Sequence, residues 1–182
     1  MSGAEVMLTD TIVEDPRWEE AGLETLAERA ARAALTALDL SPEGYEIAVL
    51  GCDDSRIADL NAEFRGKPAP TNVLSWPAED LAPDDEGAMP EPVPEGDPED
   101  PHALGDLAIA FDTCLREAEA GGLAFDAHVT HLVLHGVLHL LGYDHVRDGD
   151  ARLMERLEAD ILLKLGIDDP YARGETIPEE TG

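Results

Sequence analysis

The run His135-Gly136-Val137-Leu138-His139-Leu140-Leu141-Gly142-Tyr143-Asp144-His145 carries three imidazoles at separations that chemistry can use. Four residues apart on a helix, His135 and His139 fall on one face, about 6 Å apart along the axis. Gly142 can take a left-handed conformation, end that helix and turn the chain back, which brings His145 toward the same point. Three neutral imidazoles around one centre, with no fourth protein ligand, describe a zinc site that keeps room for water; a structural site is usually closed by four ligands. His131 lies four residues before His135. Histidines at 131, 135 and 139 on a straight helix span about 12 Å end to end, too far to share one ion. His131 therefore reads as a buried hydrogen-bonding residue, and His128 as solvent-facing or structural.

The spacing matches H-E-x-x-H-x-x-G-x-x-H of zinc peptidases, except that Gly136 stands where the glutamate base would be. Ligand geometry is retained and the local base for peptide hydrolysis is lost. A different reaction, or a base from elsewhere, is implied.

Alternating elements must position these residues. Strands are predicted over 6–13, 45–50 (halted by Gly51), 72–76 (stopped by Pro77) and 104–111. One helix opens at Asp15 or Pro16 and carries Leu23, Leu26, Ala30, Ala34 and Leu38 at helical spacing. A second is capped by Asp53, carries Ile57, Leu60 and Phe64, and is broken by Gly66. A short helix over 112–120 precedes a long one over 125–141, apolar nearly all round and so expected at the centre. An amphipathic helix over 147–165 follows. Residues 1–167 read as one hydrolase-like domain, interrupted by a flexible acidic insertion over 78–102 and followed by an acidic tail over 168–182.

The chain has 182 residues, 43% apolar, enough for one domain with a core. No apolar run reaches the ~18–20 residues of a membrane span, and Met1 to Asp10 has no secretory pattern. Cys52 and Cys114 are the only cysteines, far apart, which excludes a disulfide scaffold and a cysteine zinc site and suits the cytoplasm. The net charge of −29 opposes general nucleic-acid affinity, and no DNA partner is expected. The charge is uneven: no lysine or arginine falls between Trp76 and Leu115, while Arg56, Arg65 and Lys67, and then Arg147, Arg152 and Arg156, form basic clusters.

Three blocks carry a family resemblance. They are Leu60-Asn61-Ala62-Glu63-Phe64-Arg65-Gly66-Lys67 leading to Pro70-Thr71-Asn72-Val73-Leu74-Ser75-Trp76-Pro77; Leu104-Gly105-Asp106-Leu107-Ala108-Ile109; and the histidine run from His131 to His145. The chain resembles the YbeY family of single-domain zinc endoribonucleases. Departures are Trp76 where the family usually has Phe, Pro68-Ala69 where it often has a charged pair, and a longer acidic segment. The resemblance implies an α+β domain with a small, mostly parallel four-stranded sheet packed with helices, and a metal site at the end of a central helix. It implies one Zn2+ per chain on His135, His139 and His145, and it lands the family's functional arginine on Arg65. It also implies action on ribosomal RNA precursors, in 3′-end maturation of the small-subunit RNA and in quality control, with the ribosome or small subunit as partner.

The corresponding chemistry is metal-assisted hydrolysis of an RNA phosphodiester, with Arg65, His135 and His139 as catalytic residues. Zinc on three imidazoles lowers the pKa of water to about 7, and the arginine fork suits two phosphate oxygens. Zinc acting mainly as a Lewis acid beside the RNA's own 2′-hydroxyl is the alternative. Asp144 and Asp106 are candidate bases by motif proximity, Asp144 reading better as a capping or histidine-orienting carboxylate. Thr71, Asn72, Ser75 and Trp76 contact RNA or satisfy the fold. Arg147, Arg152 and Arg156 guide phosphates or pair along their helix with Glu155 and Glu158. A metallopeptidase-like hydrolase and a non-catalytic ribosome-assembly factor holding zinc are the competing functions.

Overall fold

Apolar residues alternate along Tyr45–Cys52, and in the computed structural model, which describes residues 7–170, this stretch is an interior strand. In chain order the elements are β1 (Thr9–Val13), α1 (Arg17–Ala21), α2 (Leu23–Ala37), β2 (Tyr45–Cys52), α3 (Asp54–Arg65), β3 (Val73–Pro77), β4 (His102–Ala110), α4 (Phe111–Gly121), α5 (Phe125–Leu140) and α6 (Asp148–Lys164). The sheet order is β1-β2-β4-β3, with β1, β2 and β4 parallel and β3 antiparallel to β4. This is the α+β fold with a mostly parallel four-stranded sheet that the resemblance implied. Val6, at the start of the first predicted strand, and residues 171–182 of the tail lie outside the described residues.

Side-chain alternation assigns the two faces of the sheet. Leu107 and Ile109 of β4 join the main core with Val129, Leu132, Val133 and Val137 of α5 and Ala27, Ala30 and Ala34 of α2. Ala108 and Ala110 point to the other face, under Ile57 and Leu60 of α3. The centrality predicted for α5 is observed: twelve of its residues, from His128 to Leu140, are buried.

Two boundaries differ from expectation for tertiary reasons. The first long helix is two helices. Gly22 is left-handed (φ 77°) between α1 and α2, and the kink seats Trp18 in the core, where its indole N–H donates to the Cys52 carbonyl at 2.9 Å. β2 does not stop at Gly51 but continues to Cys52. Gly51 allows close approach: an added Cβ would lie 2.6 Å from Leu23 and 2.8 Å from Trp18.

Residues 78–101 contain no helix or strand but are tied at several points. Leu81 is buried, Val93 packs on the core, and the Tyr45 hydroxyl donates to the Pro94 carbonyl at 2.8 Å. Arg147 donates to the carbonyls of Pro83 and Asp84 and to Asp150, which accepts in turn from the Gly87 N–H. Cys52 and Cys114 are both buried thiols, and burial pushes Cys52 up to about 12, so neither is poised for reaction. Among the described residues no helix is long and apolar enough to cross a membrane.

Candidate metal centre

α5 supplies two of the three imidazoles, and the turn behind it supplies the third. Gly142 is left-handed at φ 102°. The N–H of Tyr143 donates back to the Leu138 carbonyl, closing the helix end. An added Cβ at Gly142 would lie 2.7 Å from the Leu81 carbonyl oxygen, so the turn also receives the 78–101 segment. His135, His139 and His145 each offer a ring nitrogen, and these atoms all lie within 4.8 Å of one another. Ring centroids are 4.5 Å (135 to 139), 4.9 Å (135 to 145) and 5.1 Å (139 to 145) apart. Ligands on a tetrahedral ion at ~2.0–2.1 Å sit roughly 3.3 Å from each other, which this cluster can meet with small ring rotations.

The hydrogen bonds behind the rings fit a cation. Nδ1 of His139 donates to the Tyr143 carbonyl at 3.0 Å, and Nδ1 of His135 donates to Glu158 Oε2 at 2.9 Å. Both acceptors lack a proton to give, so both Nδ1 atoms carry the hydrogen. In the neutral rings the two Nε2 lone pairs then face each other at 3.0 Å, an arrangement that a shared cation relieves. Burial, reinforced by neighbouring His135 and His145, pushes His139 down to about 3, so it is neutral at ordinary pH, the form that binds metal.

Glu158 is the residue that sequence reasoning missed. It does not make an ordinary surface helix pair: it is 0% exposed and accepts also from Nε2 of His131 at 2.7 Å. Burial penalises its charge, but His135 beside it and the hydrogen bonds from His131 and His135 outweigh that, holding the carboxyl well below its usual range. A signal was present, since position 158 is four from buried Met154 and four from buried Leu162, on the inward face of α6. His131 is thus the buried hydrogen-bonding residue expected. His128 is structural, bonded to Glu117 at 2.9 Å.

Arg65 reaches the same cleft as His139. The cleft, about 360 Å³, is lined by both, with Ser75, Tyr143, Asp144 and the acidic pair Glu79 and Asp80. Nη2 of Arg65 donates to the Ser75 carbonyl at 3.3 Å, and its buried Nε meets no acceptor. No carboxylate pairs with Arg65 among the described residues, which sets it apart from Arg17, Arg32, Arg56, Arg116 and Arg147.

Other residues named from sequence lie elsewhere. Asp106 is on the α3 side of the sheet, in a hollow with Ile12, Phe64 and Trp76, away from the histidines. Asp144 accepts from the backbone N–H of its neighbour His145 at 2.7 Å, in the turn between α5 and α6, and caps neither helix. Asn72 is buried and spends its amide on Val73 N–H and Glu117. Thr71 is also buried, and Trp76 packs edge-on to Phe64 with centroids 5.4 Å apart. Arg147 holds the 78–101 segment, while Arg152 and Arg156 are exposed on α6.

Comparison with known proteins matches this frame. The family model described as Endoribonuclease YbeY covers residues 10–166. The chain belongs to the YbeY family. A YbeY protein of Ruegeria pomeroyi, named an endoribonuclease, is 61% identical over 165 residues, spanning 91% of this chain and 98% of that one. The YbeY endoribonuclease of Cereibacter sphaeroides is 58% identical over 164 residues, 90% of this chain and 98% of the other. The solution structure of TM1509 from Thermotoga maritima superposes with a TM-score of 0.54 over 96% of each chain; at 19% identity it speaks for the fold alone. Of the residues that the resemblance implied, Arg65 and His139 line this cleft, and His135 and His145 cluster with His139.

Proposed function

We propose that this chain is a zinc-dependent endoribonuclease that hydrolyses single-stranded RNA in the cleft between Arg65 and the three histidines. The observation that carries the reading is the pair of Nε2 atoms facing each other at 3.0 Å beside a cleft whose arginine has no carboxylate partner among the described residues. The names of the relatives supply the substrate class. Zinc, when bound, supplies a Lewis acid that lowers the pKa of water and draws charge from a phosphoryl oxygen.

The chain's own residues do the rest. The Tyr143 carbonyl and Glu158 fix the tautomers of His139 and His135, so that both Nε2 lone pairs point to one centre. His145 closes the set from the turn. Arg65 offers unused N–H donors to the non-bridging oxygens of the scissile phosphate, where negative charge builds during attack. The substrate on this reading is precursor RNA at the 3′ end of the small-subunit ribosomal RNA, met at the ribosome in the cytoplasm.

The test uses purified protein on a short single-stranded RNA, with and without chelator, beside Arg65→Ala and His139→Ala. We expect cleavage to vanish with chelator and with His139→Ala, and to fall about 10²-fold or more in Arg65→Ala. Cleavage that persists in all three arms overturns the proposal. Mapping the cut on a small-subunit precursor transcript tests the finer substrate assignment.

A further inference from the structure

Glu158 is a complete carboxylate withdrawn from solvent, the eleventh residue of a helix that carries none of the three metal-facing histidines. Nothing in the docking of α6 calls for a charge there. The neighbours on its inward face are Met154, Ile161 and Leu162, all buried, and a further leucine would serve packing equally well. Both carboxylate oxygens go instead to histidines of α5: Oε1 to His131 Nε2 at 2.7 Å and Oε2 to His135 Nδ1 at 2.9 Å. His131 is one helical turn before His135, so the two rings grip the same carboxylate from one face. Among the described residues the other α5 ligand, His139, has only a backbone carbonyl behind it.

We infer that Glu158 is the positioning residue of the metal centre, with His131 as its anchor: the pair holds His135 as the Nδ1–H tautomer with Nε2 aimed at the ion, and so makes the docking of α6 and the binding of metal one coupled event. The inference rests on the metal reading above. Its consequence is reciprocal. Metal strengthens the α5–α6 contact, and loosening Glu158 weakens metal binding by the same factor. His131 then has a defined task although it lies too far along α5 to ligate.

The experiment compares wild type with Glu158→Gln, Glu158→Met and His131→Gln. Zinc affinity is read by competition with a chromophoric chelator, and thermal unfolding is followed by circular dichroism with and without zinc. We expect Glu158→Gln and Glu158→Met to lose about 10–100-fold in zinc affinity, and His131→Gln to lose less in the same direction. The rise in Tm on adding zinc shrinks in each. In the cobalt(II)-substituted proteins the visible d–d bands of Glu158→Met differ from wild type, because His135 no longer holds its orientation. A merely structural glutamate would lower Tm equally with and without metal and leave affinity and bands alone. Affinity within twofold of wild type in the variants that fold, with the full zinc-induced Tm rise, overturns the inference. Should Glu158→Met fail to fold, Glu158→Gln and His131→Gln decide. A wild-type protein that takes up neither zinc nor cobalt overturns the metal reading itself, a result distinct from variants that bind as wild type does.

Discussion

An added Cβ at Gly136 would lie 2.8 Å from Cδ2 of Leu107 and 3.6 Å from Val73. The residue after the first histidine is therefore turned to the sheet, and a glutamate there would point into β4 instead of the cleft. Gly136→Glu buries an unpaired carboxylate in a packed interface. We expect a loss of roughly 3 kcal/mol or more in urea unfolding, and no gain of peptide hydrolysis in a casein assay. Arg65 makes the complementary case. Among the described residues its guanidinium is bound only to the Ser75 carbonyl, at 3.3 Å, so its removal costs the fold little. Arg65→Lys keeps the charge and loses the planar fork. We expect thermal stability close to wild type with RNA kcat/KM down about tenfold or more, measured on the same short substrate.

At the level of elements, the N-terminus of α6 and the 78–101 segment hold each other. Arg147 joins them through two backbone carbonyls and Asp150, and Glu86 accepts from the Gly149 N–H at 2.7 Å. Arg147→Ala removes the first set. We expect a loss of roughly 1–2 kcal/mol in urea unfolding and faster hydrogen exchange at the Gly87 amide. Much of this level was legible in the sequence. The i,i+4 histidines, Gly142 after them and the apolar circumference of α5 are local signals, and the fold obeys them. Asp53 caps α3 as its type suggests, accepting from the Arg56 N–H at 2.8 Å. What was not legible depended on distant partners. Gly22 breaks a helix because Trp18 must reach Cys52, and Gly51 is passed through because Trp18 and Leu23 lie against it. Glu158 looked like a surface charge among Arg152, Glu155 and Arg156, and only the placement of α6 on α5 shows it buried with two histidines. Arg65 was found by resemblance, and its lack of a carboxylate partner was visible only in three dimensions.

For the molecule as a whole, acid sensitivity follows from its carboxylates. Glu28 on α2 accepts from the N–H groups of Leu8 and Thr9, from the Thr9 hydroxyl and from Arg32, tying the edge strand β1 to the helix layer. Burial raises its pKa, but these hydrogen bonds prevail and hold it below the ordinary 4.5. Asp15 and Asp112, paired with Arg17, and Asp150, bound to Gly87 and Arg147, are lowered too. A lowered folded pKa gives stability that is complete above the unfolded value and lost as pH falls through the folded one. We expect unfolding free energy to be flat above about pH 7, to begin falling below 6.5 as the unfolded chain takes up the proton that buried His139 refuses, and to drop further below 4.5 as these carboxylates are lost. Glu28→Gln should lower stability at neutral pH and make that drop shallower. The net charge of −29 has a second consequence through the cleft wall, where Glu79, Asp80 and Asp144 stand near Arg65. A polyanion approaching such a surface is repelled at long range, and mobile ions weaken the repulsion as the Debye length shrinks from about 30 Å at 0.01 M to about 8 Å at 0.15 M. Ionic strength then acts as an accelerator, the reverse of its effect on basic RNA-binding proteins. Second-order cleavage rates should climb over that range, and Asp80→Asn should flatten the climb.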